Sequence, residues 1–322
     1  MSTTDYSAYT QSVIDSIGKN ASPRVKEAFP IMLKHLHAAI IETGLTTEEW
    51  LGICNLLIEA GKVSDDKRNE MVLVTDVLGV ESLVDMLEHD KYAKAGVDAT
   101  PSAILGPFYR HGVTPQPMGT SIIREKEPGA PFVHLFGTVF DSDGKPLNGA
   151  TLDIWHDVSP FFVTELLGMA DKTELRFFFS ALLQAPDGLY DAQSPEKAEH
   201  HCRGRFETGE DGKYSLIALG PTAYPIPFDH TAGKVLTMMD RHAYRPAHIH
   251  FCVSASGHKT LVTQVFDRKS KYLDDDAVFA VKDSLIVDFV PVSHPLPNGG
   301  EFDETPKLEL KYDITLASNK LE

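Results

Sequence analysis

The chain has 322 residues, 42% of them hydrophobic, which is enough for one large domain or two smaller ones with buried cores. It carries 46 acidic and 30 basic side chains, so its formal net charge is -16. Such a charge repels the phosphates of nucleic acids and anionic membrane surfaces, and we expect neither as a partner.

The N-terminal residues are polar and lack the basic and apolar regions of a signal peptide, and no apolar run is long enough for membrane insertion. The three cysteines, Cys54, Cys202 and Cys252, are too few and too scattered for a disulfide framework. These features predict a cytoplasmic protein with free thiols.

Residues 1–99 carry helical patterns. Ser22 and Pro23 offer an N-cap and a first helical residue, and Thr46 to Glu49 forms a capping box. We expect Pro30 to kink or shorten the first helix, Gly61 to end the second, and residues 66–89 to form a third helical stretch. Apolar side chains recur at helical spacing and predict the core of a small bundle: Phe29, Leu33, Leu36, Ile40, Ile41, Trp50, Ile53, Leu57 and Ile58.

Residues 100–322 follow a period of two, with Pro and Gly recurring every few residues. Val133, Leu135 and Val139 share one strand face, and residues 141–144 form the following turn. Residues 210–213 predict a hairpin turn, and residues 307–314 alternate without a break. The chain is therefore predicted to be an α+β protein: an N-terminal helical domain (1–99) and a mostly antiparallel β-sandwich (100–322).

Two histidines separated by one residue are the strongest chemical signal, in the run Arg245-Pro246-Ala247-His248-Ile249-His250-Phe251. On a strand such side chains leave the same face about 6.6 Å apart, close enough to hold one metal ion. Many such pairs only pack in a core or bond to carbonyl groups. Upstream lie Tyr190 and Tyr224, both in turn-like settings. Two imidazoles with two phenolates form an anionic set that favours ferric iron over zinc or copper.

At these residues the sequence resembles the intradiol ring-cleavage dioxygenases, non-haem Fe(III) enzymes that open catechols between the two hydroxyls. The motifs that carry the resemblance cover most of the chain in one order: residues 105–109, 152–156, 188–190, 203–206, 224–227, 241–242 and 245–250, and Gln264. The resemblance implies one Fe(III) per subunit, held by Tyr190, Tyr224, His248 and His250.

The resemblance also implies three catalytic roles. Tyr224 leaves the metal and acts as a base when the substrate binds. Arg245 stabilises the carbanion-like ring that O2 attacks, and Gln264 orients Arg245.

The substrate implied is a small aromatic diol or triol. The run Tyr224-Pro225-Ile226-Pro227 is similar to the hydroxyquinol (benzene-1,2,4-triol) branch, and Asp76 matches a pocket position that is polar in that branch and apolar in the catechol branch. Hydroxyquinol is therefore the preferred prediction, with catechol 1,2-dioxygenase activity as the alternative; Asp76 read alone is equally compatible with an N-cap or surface carboxylate. The predicted substrate pocket comprises Leu73, Asp76, Ile104, Leu105, Gly106, Pro107, Phe108, Ile226, Pro227, Arg245 and Val278.

In the resembled family the N-terminal helices join two subunits and enclose an apolar channel that can hold a lipid, so we expect a homodimer. One segment departs from the family pattern. The short connection before Gly188 is replaced by a long one, with an inserted segment at about 158–186, which we expect to cover the site entrance or to form an oligomer contact.

Two other functional classes remain open from the residues alone. The His-x-His pair also occurs in zinc hydrolases, although such a site normally adds a third His, Cys or carboxylate nearby. A non-catalytic β-sandwich binding domain would not need the arrangement of Arg245 with Gln264. Colour separates the classes, because tyrosinate bound to Fe(III) absorbs visible light and Zn(II) does not.

Overall fold

The computed structural model describes residues 5–65, 68–125, 130–157, 198–293 and 305–319. The chain forms two compact units, Met1–Glu59 and Ala60–Glu322. The predicted domain boundary between residues 99 and 100 stays a prediction. The three cysteines are free thiols, as expected.

The first unit is helical. It holds α1 (Ser7–Asp15), α2 (Pro23–Thr43) and most of α3 (Thr47–Val63). The Ser22 hydroxyl accepts from the Val25 amide, and the predicted capping box forms, with Thr46 and Glu49 bonding to each other's amides at 2.8 and 3.2 Å. The prediction that Gly61 ends α3 is wrong, because the helix continues to Val63. One glycine costs a helix only about 1 kcal/mol, which neighbouring turns offset.

The apolar side chains of these helices are largely exposed, so the interpretation of them as a bundle core is wrong for most positions. At least two fifths of the residue surface is open to solvent at Phe29, Leu36, Ile40, Ile41, Trp50, Ile53, Leu57 and Ile58. Periodicity shows that one face is apolar, but not what covers that face. Among the described residues no helix is both long and apolar enough to cross a membrane.

The second unit opens with two helices where the sequence predicted one stretch. These are α4 (Glu70–Val77) and α5 (Val80–Lys94), followed much later by α6 (Thr231–Met238). Gly79 separates α4 from α5 with φ of +70°, a left-handed conformation that glycine adopts without strain. The break turns the chain immediately after Asp76 and Val77.

The strands of this unit form two five-stranded sheets and one short ribbon. The strands are β1 (Phe132–Asp141), β2 (Thr151–His156), β3 (Arg203–Glu207), β4 (Lys213–Leu219), β5 (Tyr224–Pro225), β6 (Tyr244–Arg245), β7 (His248–Ser254), β8 (Leu261–Asp267), β9 (Ile286–Val287), β10 (Val290–Pro291), β11 (Leu308–Lys311) and β12 (Ile314–Leu316). Sheet 1 has the order β10-β11-β1-β12, with β4 also paired to β1, and sheet 2 has the order β3-β2-β7-β8-β9. Most pairs are antiparallel, whereas β1 runs parallel to β11 and β12, and β8 runs parallel to β9.

The two sheets pack face to face, which confirms the predicted β-sandwich and the α+β class. Leu135 of β1, Ile154 of β2 and Phe251 of β7 meet in one buried cluster between them. The predicted face of β1 is also confirmed, since Val133 and Val139 lie in the same cluster.

Two predictions about strand connections are wrong. The turn at residues 210–213 does not make a hairpin, because β3 pairs with β2 in sheet 2 and β4 pairs with β1 in sheet 1. Gly212 still makes the tight turn, with φ of +66°. The C-terminal alternation is divided into β11 and β12, which pair with successive halves of β1. A turn signal reports a change of direction and not the partner of the next strand.

Candidate active site

The outer face of sheet 2 carries the two histidines. Along β7, Ile249 and Phe251 point into the sandwich core, so His248 and His250 leave the opposite face. His250 pairs across the sheet with Trp155 of β2 and Gln264 of β8. The strand pairing therefore places one row of functional side chains beneath the helices.

The two imidazoles converge. Their Nε2 atoms lie 3.1 Å apart, and both side chains are buried. His248 Nδ1 bonds to the carbonyl of Pro246 at 2.7 Å, which assigns the ring proton to Nδ1 and leaves a lone pair on Nε2. Trp155 stacks on His250 with ring centroids 4.6 Å apart and planes 7° apart, and this contact fixes the orientation of the second ring.

Burial keeps both rings neutral. Desolvation lowers the pKa of His248 well below its ordinary value, and the charge of Arg245 adds to the shift. Desolvation lowers the pKa of His250 in the same way, with further contributions from His248 and Arg245. Neutral imidazole is the form that binds a metal ion.

Tyr224 and Arg245 face each other across the short ribbon of β5 and β6. The Tyr224 ring lies 5.5 Å from the ring of His248, between centroids, and is 3% exposed. Three of the four predicted metal-binding side chains, Tyr224, His248 and His250, thus lie together. The fourth, Tyr190, and the inserted segment 158–186 lie outside the described residues, and their roles stay predictions.

Arg245 is a buried cation held on three sides. Its Nε donates to Asp276 at 3.1 Å, one terminal nitrogen donates to Gln264 Oε1 at 2.8 Å, and the other donates to His248 Nε2 at 3.1 Å. Gln264 in turn donates to the carbonyl of Ile104 at 2.6 Å. The predicted contact between Gln264 and Arg245 is present in the structure.

Sequence reasoning missed Asp276 and Trp155. Asp276 is the last of three consecutive acidic residues, a pattern that usually lies in solvent, yet its side chain is 2% exposed. No local signal distinguishes it from Asp274 and Asp275. Trp155 lies in the motif 152–156 and alternates with buried Ile154, so strand periodicity could have placed it on the outer face.

A cleft opens beside these groups. All predicted pocket residues except Pro227 line it, together with Tyr224 and His250: Leu73, Asp76, Ile104, Leu105, Gly106, Pro107, Phe108, Ile226, Arg245 and Val278. Gly106 has φ of +73°, and a Cβ there would lie 3.6 Å from the His250 ring. That distance is an ordinary contact, so the left-handed conformation, and not a lack of space, is what favours glycine at residue 106.

Asp76 is the acidic residue among the cleft-lining side chains and is 1% exposed. Its Oδ1 atom is buried. Among the described residues, the neighbouring Glu81 carboxyl is the one hydrogen-bond partner of the Asp76 side chain, and that bond requires a proton shared between the two carboxyl groups. Burial, followed by the neighbouring Glu81 carboxyl, raises the pKa of Asp76 to about 9. The reading of Asp76 as a surface carboxylate is thus wrong.

Comparisons with known proteins agree with this geometry. Residues 22–96 match the family profile described as "Catechol dioxygenase N terminus", and residues 181–318 match the one described as "Dioxygenase". A catechol 1,2-dioxygenase of Candida albicans is 39% identical, over 97% of this chain and 92% of the relative. A hydroxyquinol 1,2-dioxygenase of Rhizobium sp. is 38% identical, over 83% of this chain and 80% of the relative.

Among solved structures, a hydroxyquinol 1,2-dioxygenase from Pseudomonas putida superposes with a TM-score of 0.75 at 30% identity, covering 97% of this chain and 98% of that one. The chain belongs to the intradiol ring-cleavage dioxygenase family. The substrates of this intradiol dioxygenase are therefore an aromatic diol and O2. The alternatives of a zinc hydrolase and a non-catalytic binding domain are excluded.

The family depends on non-haem iron, and the described donors of this intradiol dioxygenase fit such an ion. Two nitrogens that each lie about 2.1 Å from one metal ion can be no more than about 4.2 Å apart. The Nε2 atoms of His248 and His250 lie 3.1 Å apart. The lone pair of His248 that accepts from Arg245 is the one that an ion would take, so the guanidinium and the ion compete for it.

The buried ion pair generates a stability prediction. Asp276→Ala leaves the Arg245 charge buried without its carboxylate, and we expect unfolding free energy to fall by about 3–5 kcal/mol in urea titrations. Asp275→Ala is the matched control, because Asp275 is 60% exposed and, among the described residues, forms an ion pair with partly exposed His242 alone. Its loss should cost no more than about 1 kcal/mol. Equal, small losses in both variants would contradict the structural role of Asp276.

Proposed function

We propose that this chain is an Fe(III) intradiol dioxygenase that prefers hydroxyquinol over catechol and cleaves its ring between the vicinal hydroxyls to give a dicarboxylic acid of the maleylacetate type. The observation that carries the substrate preference is the buried carboxyl of Asp76 in an otherwise largely apolar cleft. We assign Tyr190, Tyr224, His248 and His250 as the ligands of one ferric ion per subunit.

Ferric iron in such a site acidifies the two adjacent substrate hydroxyls and withdraws electron density from the ring. Tyr224 would accept a proton from a substrate hydroxyl as the phenolate that a ferric ion would hold, and its ring lies beside His248 and lines the cleft. Apolar neighbours such as Ile104 and Val278 hold the ring and exclude water.

Arg245 supplies positive charge where the ring becomes electron-rich. A guanidinium remains charged at any working pH, and it acts strongly here because the surroundings are buried. Gln264 and Asp276 fix its orientation before the substrate arrives, so little reorganisation is needed during the reaction.

Asp76 supports a triol because its buried Oδ1, which has no hydrogen-bond partner among the described residues apart from the neighbouring Glu81 carboxyl, gains a bond when a third hydroxyl enters. A diol does not supply that bond, and this difference disfavours catechol. Catechol 1,2-dioxygenase activity is the second candidate, since the Candida albicans relative has that name and is 39% identical. The similar identity of the Rhizobium relative means that sequence similarity alone does not choose between them.

The ligand assignment predicts that His248→Ala and His250→Ala lose iron and visible colour while the chain stays folded. His242→Ala is the control, because this partly exposed histidine bonds to Asp275 and should leave the metal content unchanged. Elemental analysis and absorption spectra check both. Full iron occupancy and activity in His248→Ala would refute the assignment. Tyr224→Phe should retain some iron, shift the visible band and slow turnover.

The substrate assignment predicts a higher kcat/KM for hydroxyquinol than for catechol. Asp76→Ala should lower this ratio by about tenfold, because the third hydroxyl loses its partner. Asp76→Asn keeps an oxygen acceptor and should retain most of the preference. Steady-state kinetics on both compounds measures the ratio. A higher kcat/KM for catechol, unchanged in Asp76→Ala, would overturn the substrate choice and the role of Asp76.

We also propose a homodimer that uses the exposed apolar side chains of α2 and α3, with a lipid held at the interface. Exposed apolar patches of this kind usually mark interaction surfaces. Sedimentation at micromolar concentration should give twice the mass of one chain, and Leu36→Glu with Ile40→Glu should give monomers. Lys34→Glu is the control. A purely monomeric wild-type protein would disprove the dimer, and native mass spectrometry tests for the lipid.

A further inference from the structure

Arg241 joins two segments that both carry a carboxyl group interacting with Arg245. It lies just after α6, and its guanidinium donates to the carbonyl of Val77 at 2.6 Å and to the carbonyl of Ala277 at 3.0 Å. The guanidinium carbon also lies 4.2 Å from the centroid of the Phe279 ring. One planar group therefore bridges the end of α4 and the loop after Tyr272.

The two carbonyls belong to the residues that directly follow Asp76 and Asp276. Asp276 forms the ion pair with Arg245, and Asp76 lines the cleft together with Arg245, close enough for their charges to interact. The fork of Arg241 has a fixed width, so it sets the spacing between the two backbones. Arg241 thereby holds the backbone next to Asp76 against the backbone next to Asp276, the partner of Arg245.

The turn after α4 also packs closely on the Phe279 ring, which the Arg241 guanidinium contacts. A Cβ added at Gly79 would lie 3.2 Å from the Phe279 ring, so the turn after α4 rests directly on that ring. A cation at the last carbonyl of a helix is favoured by the helix dipole. Desolvation lowers the pKa of Arg241 from its ordinary value, but a guanidinium stays protonated in any working range.

The two carboxyl groups depend on Arg241 to different degrees. The Asp276 carboxylate also accepts from the amides of Val278 and Ala280, at 3.3 and 3.0 Å, and from Arg245. These bonds hold it without Arg241. Asp76 Oδ1 makes no comparable bond to a backbone amide among the described residues, and its side chain interacts with the neighbouring Glu81 carboxyl, so its position depends more directly on the placement of the α4 backbone.

We propose that Arg241 is a positioning residue for substrate selection, which holds the end of α4 so that Asp76 meets the third hydroxyl of a triol. Arg241 does not line the cleft and acts only through Asp76. The proposal rests on the proposed function, since it takes Asp76 to be the group that binds that hydroxyl. Loosening the α4 end should harm triol binding more than diol binding.

The chain offers a matched control at the other end of α4. Arg68 is also partly buried, and its guanidinium donates to Glu70 at 2.9 Å and to Asp229 at 2.7 Å. It thereby holds the start of α4 near α6. Its partner in α4, Glu70, is seven residues before Val77. Arg68→Gln removes a guanidinium that contacts the start of α4, and it leaves the bond from Arg241 to the Val77 carbonyl, at the end that carries Asp76, in place.

The experiment compares Arg241→Gln, Arg241→Lys and Arg68→Gln in iron-loaded enzyme, with kcat and KM measured for hydroxyquinol and catechol. In Arg241→Gln we expect KM for hydroxyquinol to rise about tenfold, with KM for catechol changed by no more than about twofold. Arg241→Lys keeps a charge but cannot bridge both carbonyls, so it should recover part of the ratio. Arg68→Gln should leave the ratio unchanged.

Several outcomes would overturn the proposal. If Arg241→Gln loses activity on both substrates equally, or if Arg68→Gln changes the ratio as much, Arg241 is only structural. If Asp76→Ala, measured in parallel, changes the ratio and neither Arg241 variant does, the positioning role fails and the triol preference stands. If Asp76→Ala leaves the ratio unchanged, the triol preference fails, and this role with it. If Arg241→Gln does not fold, the same KM values for hydroxyquinol and catechol are measured in Arg241→Lys at matched iron content, and an unchanged ratio there overturns the proposal.

Discussion

The site depends on strand β7, whose two faces contribute to different parts of the structure. Successive side chains of β7 leave opposite faces, so Ile249, Phe251 and Val253 fill the space between the sheets while His248 and His250 lie on the outer face. A shift of one residue in the pairing of β7 would bury the histidines in the sandwich and expose the apolar residues. The free energy of the hydrophobic core therefore maintains the position of the two imidazoles.

Above that face, a buried positive charge organises the surrounding loops. Arg245 lies in a site that strongly disfavours an isolated ion, and the structure offsets this cost with Asp276, Gln264 and His248 from three different segments. Each partner makes a further bond: Gln264 to the carbonyl of Ile104, His248 to the carbonyl of Pro246, and Asp276 to amides of its own loop. The cleft walls are thus bound to the same network that holds the cation.

Much of the site could be predicted because its signals are local. The spacing of His248 and His250 fixes their common face on any strand, and the Ser22 and Thr46 caps depend on residues within three positions. The features that were missed depend on long-range contacts. Asp276 looks like a solvated acid in the sequence, and its burial follows only from the position of Arg245, 31 residues earlier. Likewise, the turn at 210–213 was recognised, but the sheet that β4 joins depends on β1, far upstream.

The crossing of the chain between the sheets has a consequence for folding. Sheet 1 takes β1, then β4, then β10 to β12, while sheet 2 takes β2, β3 and β7 to β9. Neither sheet can be completed from one contiguous segment, because β11 and β12 pair with β1 across 175 residues in sheet 1, as between Val133 and Leu308, and β7 pairs with β2 from a distant part of the chain in sheet 2. Contacts of such high sequence separation slow folding, since loop closure must precede the contacts that stabilise it. Because Leu310 and Ile314 of these strands share one buried cluster with Ile249 and Phe251 of β7, the last strands of the chain complete the packing behind the histidine pair.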